Sequence, residues 1–345
     1  MKLLKIFIVA FTMLFSVQAN AKDKFNVAWS HYTGWEPWAY ADESGILKKW
    51  ADKYGIEIEL TLINDYIESI NLYTSGQYDA CTMTNMDALT IPAVGGIDST
   101  ALIIGDSSNG NDGIVIKNGS SVADLKGRDV RLVELSVSHY MLARALDMSG
   151  LSEKDIKVVN TSDADIAALF VADEQGAVVT WNPPLIQARN AKGANLVFDS
   201  SKIPGEILDL MVVKSDADPR FKKALVGAWY ETLDHILGGG EKSKKAIEFM
   251  AANSGGTVAE FKSQLKTTAM YKADEAVAIA TGADLKKTMD YVRNFSFDKG
   301  LYGEGAANSD LVGISYPDGS VAGDKNNTKF RFDDSYMKMA VEGKL

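Results

Sequence analysis

The sequence predicts an α/β protein whose two lobes enclose a cleft. From residue 25 to residue 199, short apolar runs alternate with stretches of helical periodicity, as is typical of parallel sheets covered by helices. A polar stretch at residues 105–113, GDSSNGNDG, divides this series and is interpreted as a crossover loop into a second lobe. The length of 345 residues fits about two domains of roughly 150 residues each.

The first 21 residues have the pattern of a secretory signal peptide. Lys2 and Lys5 precede a mostly apolar run at residues 6–17, and Ala19 and Ala21 form the small-x-small pattern of a cleavage site. We therefore expect export to the periplasm with cleavage after Ala21. Cys81 is the only cysteine, which excludes both a lipid anchor at the cleavage point and an intramolecular disulfide.

The charge balance argues against two classes of partner. The chain carries 36 basic and 46 acidic residues, a net charge of −10. Nucleic acids and anionic membranes both favour basic patches, so neither is an expected partner.

The opening stretch, residues 28–50, is the first candidate for a binding loop. A predicted strand at residues 25–29 leads into a loop at 30–37, and a helix follows from near Trp38. Ligands of open α/β sheets bind beyond the carboxyl ends of the strands, which makes Trp35 a candidate cleft residue. The alternative is that Trp35 and Trp38 are ordinary core aromatics.

The remaining elements extend this alternation into three segments after the signal peptide. Strands are predicted at residues 56–63, 78–84, 129–133, 157–160, 177–180, 196–199 and 208–213. Helices are predicted at residues 65–75, 139–149, 163–172, 221–237, 242–252, 258–264, 274–281 and 285–295. We assign residues 22–109 to a first lobe, 110–212 to a second lobe, and 213–345 to a mainly helical return to the first lobe with a β-like tail.

Several catalytic and metal-binding classes lack their motifs. The sequence contains neither the phosphate-binding G-x-x-x-x-G-K-[ST] nor the G-x-S-x-G elbow of hydrolases. The three histidines have no metal-ligand spacing. Residues 106–112 mimic the start of a calcium loop, but Lys117 occupies the twelfth position, where glutamate is needed. We expect no metal, no cofactor and no enzymatic activity.

Polar and aromatic residues at strand-to-helix junctions remain as candidates for a ligand pocket, which needs a few polar groups and aromatic walls. They are Trp35, Asp65, Asn85, Asp87, Glu134, Ser136, Trp181, Asn182, Glu206 and Asp209. The alternative for each acidic residue is a helix cap or a solvated turn, and Asp87 could serve its own helix in this way.

The chain resembles the periplasmic solute-binding proteins of ABC importers. The matching stretches span nearly all of the chain after the signal and include GWEPWAYADESGILKKWADKYGIEIE, YDACTMTNMDALTIPA, VVTWNPPL and FRFDDSYMKMA. The resemblance is to the branch of taurine, sulfonate and pyrimidine-precursor binders, and more closely to its urea-carboxylase-associated subgroup, which is linked to guanidine or urea metabolism. It implies a type II Venus-flytrap fold that captures a small molecule between its lobes and delivers it transiently to an inner-membrane permease. We expect a monomer.

The resemblance leaves the ligand open. Sulfonate binders need donors such as Arg, Lys or helix N-terminal amides, whereas the junctions listed above carry carboxylates and two tryptophans. This composition favours a planar cation such as guanidinium, held chiefly by Asp87 and Glu134 with support from Glu206. A taurine, sulfonate or pyrimidine-precursor binder is the alternative. An enzyme like the pyrimidine synthases would need a cysteine-rich motif, and the chain has a single cysteine.

Overall fold

The fold consists of two β-sheets, each covered by helices. The computed structural model describes residues 23–304 and 306–345, so the predicted signal peptide lies outside the described residues. None of the helices in these two ranges is both long and apolar enough to cross a membrane.

The fourteen strands of the described ranges fall into nine in a large sheet and five in a small one. They are β1 (Asp23–Trp29), β2 (Ile56–Leu62), β3 (Ala80–Thr84), β4 (Ser99–Ser108), β5 (Asp112–Lys117), β6 (Asp129–Leu132), β7 (Lys157–Asn160), β8 (Ala177–Trp181), β9 (Ala194–Asp199), β10 (Leu208–Lys214), β11 (Thr268–Met270), β12 (Gly313–Ser315), β13 (Val321–Ala322) and β14 (Thr328–Phe332).

The α-helices cover both sheets. They are α1 (Glu36–Glu43), α2 (Ile46–Lys53), α3 (Tyr66–Thr74), α4 (Asn85–Ala88), α5 (Val137–Met148), α6 (Asp163–Ala172), α7 (Pro184–Arg189), α8 (Pro219–Leu237), α9 (Gly240–Asn253), α10 (Val258–Leu265), α11 (Ala273–Thr281), α12 (Ala283–Asp298) and α13 (Ser335–Val341).

The sheet topology defines the two lobes. The large sheet has the order β13-β12-β14-β4-β10-β3-β1-β2, with β11 added beside β4, and the small sheet has the order β7-β6-β8-β5-β9. The chain crosses between the sheets at residues 109–111 and again at residues 200–207. The predicted lobe boundary at residue 212 lies inside β10, which is a strand of the large sheet.

The crossover loop is shorter than the one predicted at residues 105–113. β4 continues to Ser108 and β5 begins at Asp112, and both strands are buried over their whole length. Asp106, Ser107, Ser108 and Asp112 are therefore buried strand residues near the junction of the lobes, and Ser108 donates a hydrogen bond to Asp112 there.

The opening helix is divided in two. Gly45 has a φ of 75° and separates α1 from α2, whereas a single helix was expected from near Trp38. Glycine adopts this left-handed conformation without the steric cost of a side chain. Trp38 is 1% exposed and stacks on Trp229 with ring centroids 5.0 Å apart, so it is a core aromatic.

Candidate functional site

A small cavity of about 10 Å³, with room for roughly one water molecule, lies where the two lobes meet. Its wall combines aromatic, acidic and small apolar side chains. The lining residues are Tyr32, Trp35, Tyr66, Thr84, Asp112, Val137, Trp181, Ile207 and Asp209. Asp112, Val137 and Trp181 belong to the small-sheet lobe, Ile207 lies in the second crossover, and the others belong to the large-sheet lobe.

Local structure explains why these residues converge. Trp35 precedes α1, and Tyr66 and Val137 are the first residues of their helices. Thr84 and Trp181 end the strands β3 and β8. Strand ends and helix starts of both sheets therefore face one cleft, as expected for an α/β binding site.

Four aromatic rings form a continuous wall. The ring centroid of Trp35 lies 5.1 Å from that of Tyr32 and 5.4 Å from that of Tyr66. Tyr66 in turn meets Trp181 edge-on at 5.4 Å. The indole Nε1 of Trp181 donates a hydrogen bond to the carbonyl oxygen of His31 at 3.2 Å, so the wall also ties the two lobes together.

Asp112 contributes a buried carboxylate to the cavity. Asp112 is 2% exposed, and the hydroxyl of Ser108 donates a hydrogen bond to its Oδ2 at 2.5 Å. The Oδ1 atom is buried and has no hydrogen-bond partner. Burial raises the pKa of Asp112 to about 7 because the charged form loses its hydration.

Asp209 lines the cavity beside a second carboxylate, Asp106. The two residues face each other on the neighbouring strands β10 and β4. The hydroxyl of Tyr32 donates to Oδ1 of Asp106 at 3.0 Å, whereas Oδ2 of both aspartates lacks a partner. Burial, together with the mutual proximity of the two carboxyl groups, raises the pKa of the pair.

Asp87 lies directly behind the aromatic wall. Its Oδ2 accepts hydrogen bonds from the Tyr66 hydroxyl at 2.7 Å and from the Thr84 hydroxyl at 2.8 Å. Its Oδ1 is buried without a partner. Burial raises the pKa of Asp87 to about 6, although the two hydroxyl hydrogen bonds oppose the shift.

No basic side chain occurs among the described residues that line the cavity. Within residues 23–304 and 306–345, no group of three or more His, Cys, Asp and Glu side chains is arranged to hold a metal ion. The site therefore offers hydrogen-bond acceptors and aromatic faces, which are the groups that attract an organic cation.

The structure brings some of the sequence-predicted residues to this cavity. Trp35, Trp181 and Asp209 line it, and Asp87 supports it through Tyr66. Asn182 is buried beside Trp181 with its Oδ1 unpartnered, but it is not among the lining residues.

Two other predicted residues, Asn85 and Ser136, bond to groups of the protein instead. Asn85 donates to the carbonyl of Glu206 at 3.2 Å and accepts from the N–H of Leu208 at 3.0 Å, which holds the second crossover against α4. Thr84 rather than Asn85 caps this helix. Ser136 caps α5 by accepting from the backbone N–H of Ser138.

Glu206 does not face the ligand cavity. Its two carboxylate oxygens accept from Arg144, Nε at 2.8 Å and Nη2 at 2.9 Å, and from the Tyr140 hydroxyl at 2.6 Å. In this structure the charge of Glu206 is satisfied within the protein by this ion pair, and its pairing with a ligand stays a prediction.

Asp65 and Glu134 lie outside the cavity, in a surface groove between the lobes. Asp65 caps α3 and accepts a hydrogen bond from the Ser162 hydroxyl at 3.1 Å across the cleft. Glu134 is exposed in this structure, and its pairing with a ligand also stays a prediction. An exposed carboxylate keeps its hydration and has little need of a ligand charge.

Sequence reasoning missed several lining or supporting residues. They are Tyr32, Tyr66, Thr84, Asp106, Asp112, Val137 and Ile207. Asp106 and Asp112 were considered only as part of a calcium-like loop and of the predicted crossover, not as cleft residues. A usable signal was present, since both lie within that predicted crossover and crossovers between lobes line the cleft.

Comparisons with known proteins identify the fold. The alkanesulfonate-binding protein SsuA from Xanthomonas axonopodis pv. citri, solved bound to MOPS, is 17% identical with a TM-score of 0.67, over 82% of this chain and 96% of that one. The periplasmic nitrate-binding protein NrtA from Synechocystis PCC 6803 is 13% identical with a TM-score of 0.58, over 92% of this chain and 98% of that one. The desulfurization enzyme DSZB is 16% identical with a TM-score of 0.54, over 81% and 93%.

These likenesses confirm the predicted bilobal α/β fold of periplasmic binding proteins. No curated protein sequence matches the chain significantly. The sequence family described as NMT1/THI5 like matches residues 45–228, which is more than half of the chain. The chain belongs to the NMT1/THI5-like family.

Proposed function

We propose that this protein is the periplasmic solute-binding component of an ABC importer and that its ligand is a small organic cation of the guanidine type. The fold supports the binding role, because the similar structures include sulfonate- and nitrate-binding proteins. Delivery to an inner-membrane permease, action as a monomer and cleavage of a signal peptide after Ala21 are parts of the same proposal.

One observation carries the choice of a cation. Asp112 and Asp209 line a buried, aromatic-walled cavity, and each presents an oxygen without a hydrogen-bond partner. A buried carboxylate without a partner is costly, and a cation in the cavity would satisfy both groups. Sulfonate or nitrate would instead place a negative charge beside these carboxylates.

The aromatic wall supports the same class of ligand. Tyr32, Trp35, Tyr66 and Trp181 surround the cavity, and electron-rich ring faces attract cations. The cavity volume of about 10 Å³ lies far below the usual range of drug-sized pockets, roughly 300–1,000 Å³, which favours a ligand of few heavy atoms. Guanidinium combines a planar face for stacking with N–H groups for carboxylates.

Calorimetry with guanidinium, urea and taurine tests this function. We expect guanidinium to bind and taurine not to bind. Asp112→Asn keeps the shape of the side chain and removes its charge, so it should cost on the order of 2–5 kcal/mol of guanidinium binding. Asp129→Asn is the matched control, since Asp129 is exposed and pairs with Lys157.

Two results would contradict the proposal. Tight taurine binding that Asp112→Asn leaves unchanged would make the cavity an anion site. Chemical conversion of a bound compound by the purified protein would indicate an enzyme, in line with the likeness to DSZB.

A further inference from the structure

The paired carboxyl groups of Asp106 and Asp209 form an unusual arrangement inside the large sheet. The residues are directly opposite each other on antiparallel strands β4 and β10, next to a register shift between Asp209 and Leu210. Asp106 is 0% exposed and Asp209 is 2% exposed. Oδ2 of each residue is buried without an ordinary donor, and the two carboxyl groups lie within hydrogen-bonding reach of each other.

The groups around this pair do not supply a positive charge. Tyr32, from the loop after β1, donates its hydroxyl to Asp106. Asp112, at the start of β5, repels both members of the pair. On the remaining sides lie Thr84 of β3, opposite Asp209, and Tyr271 after β11, whose hydroxyl bonds to Ser107.

Two carboxylates in contact away from water cannot both remain ionised at low cost. The simplest way to satisfy the two neighbouring carboxyl groups is a single proton held between them, with Asp106 or Asp209 as the donor. The pair then carries one negative charge. Its burial and mutual repulsion raise the pKa of the pair, which fits this state.

We propose that the Asp106–Asp209 pair exchanges its shared proton for the positive charge of the ligand and thereby selects a cation over a neutral molecule of the same shape. This inference rests on the proposed function. In the exchange one O–H bond breaks and the proton passes to solvent. Both carboxylates become ionised, and the ligand's charge replaces that of the proton, so the total charge of the site is unchanged.

The position of the pair explains how the exchange reaches the ligand. Asp209 lines the cavity, whereas Asp106 stands behind it and is oriented by Tyr32. Urea has nearly the shape of guanidinium but no charge, so it cannot replace the proton. Asp106 is therefore a positioning residue that sets the charge of Asp209, which faces the ligand.

Calorimetry of guanidinium binding in buffers of different ionisation enthalpy measures the exchange. The wild-type protein should release protons on binding, and its affinity should fall by up to about ten-fold for each pH unit below the pKa of the pair. Urea should cause no release at any pH.

Asp106→Asn isolates the pair from other titrating groups. The amide can donate a permanent N–H to Asp209 in place of the shared proton, so the fold should be retained. We expect the variant to bind guanidinium more weakly and to release fewer protons than the wild type. Acidification should also reduce its preference for guanidinium over urea by less than it does in the wild type. Asp129→Asn, at the exposed first residue of strand β6, should behave like the wild type.

The outcomes separate this inference from the proposed function. Two results would overturn the proton exchange alone. The enthalpy of guanidinium binding could be the same in all buffers, or Asp106→Asn could release as many protons as the wild type. Failure of guanidinium, methylguanidinium and tetramethylammonium to bind would overturn both proposals. NMR titration of ¹³C-labelled aspartate in the ligand-free protein adds a direct readout, and ionisation of both carboxyls near their ordinary pKa would also overturn the shared proton.

Discussion

A close approach between Gly34 and Asp106 is the tightest steric constraint on the site. A Cβ atom at residue 34 would contact Oδ2 of Asp106 and the ring of Tyr32. Only glycine therefore lets the loop after β1 place Tyr32 against the carboxyl pair. The backbone at this position is not left-handed, so the requirement comes from space rather than from conformation.

Gly34→Ala should displace Tyr32 and Asp106 although residue 34 contributes no polar group to the cavity. Forcing a methyl group into packed surroundings typically costs about 1–3 kcal/mol, and we expect this loss in the free energy of unfolding. Guanidinium affinity should also fall, because Tyr32 and Asp106 must shift. Urea denaturation and calorimetry measure the two effects.

Gly256→Ala is the matched control for this substitution. A Cβ atom there would make only ordinary contacts, at 3.7 Å and beyond, and Gly256 lies far along the chain between α9 and α10. Unchanged binding in Gly34→Ala would show that the loop can move without affecting the cavity.

At the scale of elements, α5 connects the cavity to helix α12. Val137 at its start lines the cavity. Further along, Tyr140 packs edge-on against Phe295 with ring centroids 5.2 Å apart, and Arg144 lies over the ring of Tyr291 at 5.1 Å. Glu206 of the second crossover completes this contact through Arg144.

Glu206→Gln should separate stability from ligand binding. The variant loses a bidentate, charge-assisted ion pair, so we expect the free energy of unfolding to fall by about 1–3 kcal/mol. Guanidinium affinity should stay at the wild-type value because Glu206 does not line the cavity. Urea denaturation and calorimetry again give the two quantities.

Tyr140→Phe removes the hydrogen bond that an uncharged hydroxyl donates to the same carboxylate, and it serves as the milder comparison. A loss of guanidinium affinity in Glu206→Gln as large as that in Asp112→Asn would restore Glu206 as a ligand residue.

Sequence patterns located most elements but only part of the site. The helix at residues 163–172 and the strand at residues 157–160 have their predicted bounds, because their apolar periodicity and flanking polar residues are clear. The end of β4 was missed because residues 105–108 are polar yet buried. Periodicity reports which residues face an apolar core, and a strand that ends in a polar site breaks that pattern.

At the scale of the whole molecule, the two lobes touch across the cleft. Trp181 donates to His31, Asp163 accepts from the backbone N–H of Tyr66 at 3.3 Å, and Ser162 donates to Asp65. This arrangement encloses carboxylates that lack partners. Because such burial is costly, we expect closure to depend on whatever neutralises them, either a ligand cation or protons.

Ligand binding should make the molecule more compact. At pH 8 the ligand-free protein should populate an open form, since few residues at the two crossovers need to change conformation for the lobes to separate. Saturating guanidinium should then reduce the radius of gyration measured by small-angle X-ray scattering. An equal radius with and without guanidinium would contradict closure by the ligand.

Acidification should also favour the closed form of the ligand-free protein. Burial raises the pKa of Asp112 to about 7 and that of Asp87 to about 6 in the closed form, above the ordinary value of 3.8. The closed form therefore binds more protons than the open form between these values, so its stability is greatest at low pH and is lost as the pH rises through about 6 to 7. Scattering between pH 5 and pH 8 should show a radius that grows with pH, and a radius that shrinks would refute the sign.

The last strand of the chain occupies a position that affects how the protein is made. Phe330 of β14 pairs with Ser99 of β4, so this part of one edge of β4 is completed only by residues from near the end of the sequence. During synthesis this part of the edge stays unpaired until these residues leave the ribosome, and contacts between such distant residues form slowly. A chain that cannot complete its larger lobe early remains extended for longer. This delay fits the export that we propose for this protein, because a chain passes through a translocation channel before it folds.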